Sequence, residues 1–216
     1  MQFGTNGVIH GIDTILLPPP TALTIISLLP GDFSTFQLAL TKTGLGNAIA
    51  RSSHTGGTIF APSNSAFKKL GPKVNAFLFS SYGEKYLRAL LKYHVVANQT
   101  LYSDAFYPEK DNSDTTEHRS FHIDLPTLLA DKSLAVDIVR YGGFINIRVN
   151  GYTDIVVQDG VAKDGVIQVP RNVLIPPKTR GGEAYMGGEL DVEDFKDRLD
   201  SLLEEEEDED KAWWEL

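Results

Sequence analysis

The sequence predicts an α+β domain whose helices come first along the chain and whose sheet is mainly antiparallel. Apolar residues recur at helical spacing between residues 33 and 91, and from residue 134 they alternate with polar residues in the period of a strand. Helices followed by a meander of strands are typical of this class. The 216 residues include no cysteine, so disulfides and thiol chemistry are excluded.

The first helix is predicted from three apolar residues that fall on one face: Phe33, Phe36 and Leu40. Asp32 or Ser34 is its expected N-cap, because a short oxygen-bearing side chain accepts from the free N–H groups of the first turn. Gly44 and Gly46 are expected to end it.

A short strand is predicted at residues 58–61, and three helices follow it. Pro62 and Asn64 introduce the first of these helices, and Pro72 opens the second. The third is predicted over residues 84–92 from leucines at helical spacing.

Alternation predicts two strands with one buried face each. The inward positions are Leu134, Val136 and Ile138 in the first strand and Ile145, Ile147 and Val149 in the second. Residues 141–143 form the turn between them. The Asp-Gly pairs at 159–160 and 164–165 are predicted to be turns of the strands that follow.

Residues 6–19 are repeated 158 residues later, at 164–177, with 6 identities in 14 positions. About one identity is expected by chance at ordinary composition. Each copy predicts a Gly-led turn, a short strand, a second apolar strand and a double proline that ends strand pairing. The repeat spacing matches one domain, so the same element is expected to close two domains.

Three segments resemble the fasciclin-like (FAS1) domain family. Residues 58–67, Thr-Ile-Phe-Ala-Pro-Ser-Asn-Ser-Ala-Phe, are similar to its first box, residues 92–96 to its Tyr-His motif, and residues 151–177 to its second box. The resemblance implies the FAS1 fold, a wedge-shaped β-sandwich with several helices packed at one end. The repeat and the acidic end are most similar to fungal tandem members.

The expected organisation has three parts. Residues 1–20 are the C-terminal hairpin of a preceding FAS1 repeat, residues 21–178 are a complete FAS1 domain, and residues 179–216 are a Gly-rich linker, a short amphipathic helix and a disordered acidic tail. The first 41 residues contain neither Lys nor Arg, so no signal peptide is recognised in this chain. We expect the signal to belong to a longer parent protein.

The net charge of −9 is concentrated in the tail, where residues 183–216 hold 15 acids and 3 bases. The remainder lacks the clustered basic stripe of a nucleic-acid-binding protein. No apolar run approaches the ~20 residues of a membrane span. The tail is interpreted as a solvating acidic appendage. The alternative is that an amphipathic helix docks on a basic partner or on the net-positive body; its apolar residues are Phe195, Leu199, Leu202 and Leu203.

The sequence predicts a protein that is not an enzyme and that uses neither cofactor nor metal, since it carries none of the common catalytic motifs. His118 and His122 have the four-residue spacing of a helical metal pair, but strand alternation would separate their imidazoles by roughly 13 Å. Asp154, Asp159 and Asp164 are interpreted as solvated turn acids.

The predicted function is adhesion or scaffolding through a protein or glycan partner. The resemblance implies binding by the Tyr-His motif, Tyr93, His94, Val95 and Val96, whereas the residues alone favour a partly buried imidazole held by backbone hydrogen bonds. Asn98 opens an N-glycosylation sequon. The family implies an extracellular, cell-surface or secretory-lumen location. The alternatives are an apolar small-molecule binder and a fungal vacuolar-membrane component linked to autophagy.

Overall fold

The computed structural model of the chain describes residues 2–5, 7–52, 54–105, 118–130, 132–178, 185, 190–200 and 202–203. Its helices are α1 (Ala22–Leu28), α2 (Pro30–Lys42), α3 (Leu45–Arg51), α4 (Asn64–Lys69), α5 (Pro72–Leu78) and α6 (Glu84–Tyr93). Its strands are β1 (Gln2–Gly4), β2 (Gly7–Ile9), β3 (Gly57–Phe60), β4 (Val95–Ala97), β5 (His118–Pro126), β6 (Ser133–Tyr141), β7 (Phe144–Val149), β8 (Thr153–Ala162) and β9 (Gly165–Pro170). Residues 192–200 and 202–203 are also helical and form what we call the C-terminal helix.

The start of α2 differs from the prediction. Pro30 lies in its first turn, where the missing N–H of proline costs no hydrogen bond, and Asp32 follows within that turn, where the helix dipole favours an acid. The predicted N-cap at Asp32 or Ser34 is therefore wrong. The predicted apolar face is confirmed, since Phe33, Phe36 and Leu40 are buried.

Of the two glycines predicted to end α2, only Gly44 does so. Gly44 follows the helix with a φ of 69°, a conformation that glycine adopts without strain. Gly46, which was expected to help end the helix, lies inside α3. Neither α1 nor α3 was predicted. Each spans only seven residues, too few turns for a periodic pattern, and no start signal was recognised for either, in contrast to the similarly short α4 and α5.

Seven strands form the main sheet in the order β4-β3-β9-β8-β7-β6-β5. The β3–β9 pair is parallel, and the other five pairs in this sheet are antiparallel. The two edge strands approach each other, because Leu128, two residues after β5, donates its N–H to the carbonyl of Val95 in β4 at 2.8 Å. The sheet thus curls around an apolar core, with α6 leading directly into β4.

The second Asp-Gly prediction is confirmed and the first is wrong. Asp164 and Gly165 lie at the tight connection between β8 and β9. Asp159 and Gly160 lie inside β8, where the pairing with β9 shifts register on both sides of Val157 and Asp159 takes a φ of 57°. A bulge of this kind bends the strand without ending it.

The C-terminal helix packs on the same core as the sheet and the earlier helices. The four apolar residues predicted for one face of this helix are buried: Phe195, Leu199, Leu202 and Leu203. Tyr86 of α6 donates its hydroxyl to the carboxylate of Asp200 at 2.5 Å, and Lys178 pairs with Asp194 at 2.5 Å. The acidic run at residues 204–210 and most of the Gly-rich segment at 179–188 lie outside the described residues.

The N-terminal hairpin, β1 and β2, forms a separate two-stranded sheet. The residues that follow it, 10–20, are exposed. The chain rejoins the main domain at the start of α1, where Lys163 donates its N–H to the Pro20 carbonyl at 2.9 Å and Asp164 accepts the N–H of Ala22 at 2.8 Å.

Candidate functional site

The Tyr-His motif lies where α6 passes into β4. Its side chains are almost completely buried, with exposed fractions of 0% for Tyr93, 1% for His94, 5% for Val95 and 1% for Val96. Their burial follows from position, because the core covers the C-terminal end of α6 and the first two residues of β4. None of the four presents a side chain to a partner in this structure.

His94 uses both ring nitrogens for internal hydrogen bonds. Nδ1 donates to the Leu90 carbonyl at 2.7 Å, and Nε2 accepts the N–H of Leu174 at 2.9 Å, which assigns the proton to Nδ1. Burial lowers the pKa of His94 to about 4, although the hydrogen bond to Leu90 by itself would raise this pKa. The imidazole is therefore neutral at physiological pH and is committed to the fold, as the residues alone had suggested.

Leu174 belongs to a short stretch, residues 173–175, that we call the closing segment. Tyr152 holds its other residues, because the Tyr152 hydroxyl accepts the N–H of Ile175 at 2.9 Å and donates to the Val173 carbonyl at 3.3 Å. Burial raises the pKa of Tyr152, so the hydroxyl keeps its proton. His94 and Tyr152 together clamp the closing segment to the core.

Tyr93, the neighbour of His94, makes a buried hydrogen bond of its own. Asn150, whose φ is 52°, donates its side-chain amide to the Tyr93 hydroxyl at 2.9 Å. Burial raises the pKa of Tyr93 to about 12, and the bond from Asn150 acts in the opposite direction. The sequence offered no signal for Asn150 or Tyr152, since both lie more than 50 residues from the motif.

Asn98 is exposed immediately after β4, with a φ of 60°. Its side-chain oxygen accepts the N–H of Thr55 at 2.9 Å. A glycan attaches at the amide nitrogen, so this bond and a glycan are compatible. Thr100, the third residue of the sequon, accepts the N–H of Gly57 at 3.2 Å through its hydroxyl.

His122 lies on the outer face of β5, between two carboxylates. Nδ1 is 2.6 Å from Asp137 and Nε2 is 3.5 Å from Asp124. The strand that was predicted there is confirmed, while the side chain of His118 lies outside the described part of the chain. Within that part, no group of three or more histidines or acids is arranged to hold a metal ion.

Each of the three spaced aspartates is half-buried and has a hydrogen-bond partner. Asp164 lies in a turn, as predicted, but Asp154 and Asp159 lie inside β8, so the interpretation as solvated turn acids is wrong for these two. Asp159 accepts the N–H of Ser103 at 3.0 Å and the side-chain amide of Gln168 at 2.9 Å. Asp164 accepts the N–H of Ala22 at the N-terminus of α1. Asp154 pairs with Arg148 at 3.1 Å. Each acid meets a partner that the sequence could not identify.

An open apolar groove of about 470 Å³ runs between the first two helices and the bulged part of β8. Its apolar lining includes Ile25, Leu29, Phe33, Val156, Val157 and Val169. Asp32, Ser63 and Ser65 supply its polar groups. Leu29, Val156 and Val157, which we call the β8 patch, are each roughly half exposed.

Comparisons with known proteins assign this architecture. The model of the Fasciclin domain matches residues 31–176, about two thirds of the chain, so the chain belongs to the Fasciclin domain family. The solved structure of a FAS1 domain pair from the insect cell adhesion molecule Fasciclin I covers 81% of this chain and 57% of its own chain, with a TM-score of 0.59 and 19% identity. The predicted α+β FAS1 fold is confirmed.

Two curated relatives extend the comparison. Aurofusarin biosynthesis cluster protein S of Gibberella zeae is 35% identical over 192 residues, which are 82% of this chain and 47% of that protein. Human periostin is 29% identical over 184 residues, which are 83% of this chain and 19% of that protein. The chain thus spans less than half the length of either relative. Among the described residues, no helix is both long and apolar enough to cross a bilayer.

Proposed function

We propose that the chain is a non-catalytic fasciclin interaction module that serves cell adhesion or extracellular or lumenal scaffolding through protein or glycan contacts. The main support is the contrast between its buried polar side chains and its exposed apolar ones. His94, Tyr93 and Tyr152 are buried and hydrogen-bonded inside the domain, whereas apolar side chains of the β8 patch face the solvent. The structural relative is a domain pair from an insect cell adhesion molecule, Fasciclin I.

The proposed contact surface is the β8 patch and the groove beside it. Exposed apolar surface next to polar groups is typical of an interaction site. The Tyr-His motif supports this surface indirectly, because its buried side chains fix β4 and the closing segment in place. Its four residues are Tyr93, His94, Val95 and Val96. Their part in binding is therefore positional and does not involve direct contact.

Bead adhesion tests this function. Beads coated with the full chain are mixed with a cell-wall fraction of Gibberella zeae, the organism of one relative, and separately with beads that carry the same chain. We expect attachment to at least one surface, and we expect Val157→Asp to reduce it at least fivefold without changing the melting temperature.

Val139→Asp is the matched control, because Val139 is similarly exposed on the outer face of β6. It should attach like the unaltered chain. Attachment to neither surface, or equal attachment by both variants, would exclude adhesion through the β8 patch.

A second candidate function, binding of an apolar small molecule, is favoured by the groove itself. Its volume lies in the ~300–1,000 Å³ range of ligand pockets, and its lining is mainly apolar. Titration with anilinonaphthalene sulfonate tests it: saturable fluorescence that Val157→Asp removes supports the binder. Bead attachment without saturable dye binding supports adhesion alone.

We propose the cell surface or secretory lumen as the place of action, with the fungal vacuolar membrane and autophagy as the alternative. Exposed Asn98 supplies the test, since N-linked glycosylation of a sequon takes place in the secretory lumen. The native protein should shift in mobility after endoglycosidase treatment, and Asn98→Gln should abolish the shift. Recovery in the vacuolar fraction, and not in the medium or wall, would favour the alternative.

A further inference from the structure

The repeated sequence is also a repeated structure. In the N-terminal hairpin the paired residues are Gln2 with Ile9, Phe3 with Val8, and Gly4 with Gly7. In the β8–β9 hairpin they are Gly160 with Ile167, Val161 with Val166, and Ala162 with Gly165. Every residue of the first set lies 158 positions before its counterpart, so the two hairpins have the same register as well as related sequences.

The corresponding apolar triplets of the two copies differ in burial. Val173, Leu174 and Ile175 of the closing segment have exposed fractions of 1%, 0% and 1%. Their counterparts Ile15, Leu16 and Leu17 have exposed fractions of 86%, 80% and 82%. Three consecutive large apolar side chains with no core to enter indicate a missing binding surface.

The glycine that opens each copy supports this reading. A Cβ on Gly165 would collide with the backbone of Gly57 in β3, so the parallel β3–β9 pairing requires glycine there. Gly7 holds the same place in its hairpin, yet no described atom lies within 4 Å of the position of its Cβ. The close neighbour that would require glycine at position 7 has no counterpart in the described chain.

We propose that residues 7–17 are the last strand and closing segment of a second fasciclin domain, which precedes this one in the same polypeptide. In that domain Ile15, Leu16 and Leu17 fill the core. An imidazole nitrogen accepts the N–H of Leu16, and a phenol oxygen accepts the N–H of Leu17, as His94 and Tyr152 do for Leu174 and Ile175. The inference does not depend on the adhesive function proposed above.

The attachment point fixes where that domain lies. Residue 20 leads directly into α1, and the bonds of Pro20 and Ala22 hold this junction against the β8–β9 turn. Only residues 18 and 19 separate the exposed triplet from Pro20, the first residue that these bonds fix. The second domain is therefore held close to that turn by a short connection and not by a long linker.

A graft tests whether residues 7–17 can close a fasciclin domain. In the full chain, residues 165–175 are replaced by the sequence of residues 7–17. We expect a cooperative melt, and amide exchange at positions 174 and 175 at least a hundredfold slower than at positions 16 and 17. The His94 imidazole should stay neutral down to about pH 5 by NMR, because its Nε2 still accepts an N–H.

Two companion grafts keep the outcome decisive. One retains the native residues 165–170, including buried Gln168, and changes only Arg171→Asp, Asn172→Thr, Val173→Ile and Ile175→Leu. The other carries residues 10–17 in shuffled order and should fail to protect those amides. If neither ordered graft exceeds the shuffled graft, the proposal is overturned.

The identity of the occupant is tested on the native protein. Its intact mass should exceed the 23.8 kDa of this chain by about one domain of 100–150 residues. A native mass of 23.8 kDa would overturn the proposal. So would a dimer of the unaltered chain that Leu16→Asp separates, because the occupant would then be a second copy.

Discussion

His94 illustrates how one side chain can connect distant parts of the chain. It is bonded to Leu90 one turn earlier in the sequence and to Leu174 eighty residues later. A motif that resembles a binding site therefore has a structural task, and a loss of binding after mutation of His94 would report a lost closing segment as readily as a lost contact.

The titration of His94 gives a prediction for stability. Its pKa is about 4 in the folded protein and about 6.5 in the unfolded chain, so only the unfolded chain takes up this proton between those values. The contribution of neutral His94 to the free energy of unfolding is complete above pH 6.5 and declines as the pH falls to 4. The free energy of unfolding should therefore drop by about 3 kcal/mol across this window.

Urea denaturation from pH 7.5 to 4 measures this effect. His94→Gln, compared with its own stability at pH 7.5, should show a pH dependence smaller by about that amount, because glutamine does not titrate. Parallel profiles for the two proteins would show that His94 is not the group responsible.

Among the helices, α2 and α6 were predicted from periodicity over several turns, whereas a short helix was predicted only where a start signal such as Pro72 preceded it. α6, β6 and β7 carry long periodic patterns and lie where the sequence placed them. α1 and α3 are seven residues each, and their boundaries depend on what packs against them. The bulge at Asp159 also escaped prediction, because an Asp-Gly pair favours a tight turn unless distant partners such as Ser103 and Gln168 hold it in a strand.

The C-terminal helix supplies a prediction for an element. Phe195 is completely buried in the common core, so Phe195→Ala should cost about 3–5 kcal/mol of unfolding free energy. Glu193→Ala, on the exposed side of the same helix, should change it by less than about 0.5 kcal/mol. Equal small effects of the two substitutions, measured by urea denaturation, would show that the helix contributes little to the core.

At the scale of the whole molecule, the chain divides into a cooperative body and an N-terminal hairpin that has little to support it. The core cluster includes residues of α1 and of the C-terminal helix, together with every helix between them. The hairpin is a two-stranded sheet, an arrangement that is marginally stable in water without a packing partner.

Native-state hydrogen exchange should distinguish the stable body from the weakly supported N-terminal hairpin. Amides of β3, β6, β9 and the C-terminal helix are expected to share the free energy of global unfolding, because one core holds them. Amides of β2 and of residues 10–17 should exchange at close to unprotected rates. Strong protection of the hairpin in the isolated chain would contradict this division.

The sequence by itself determined which faces are buried, where the long helices and strands lie and that one closing module is written twice, since each of these follows from local periodicity or from direct repetition. The tertiary structure decided which groups satisfy one another. It paired His94 with Leu174, Tyr152 with Ile175 and Asp164 with Ala22, and it left one copy of the closing triplet exposed. Such partners depend on the path of the chain through space, and no local pattern encodes that path.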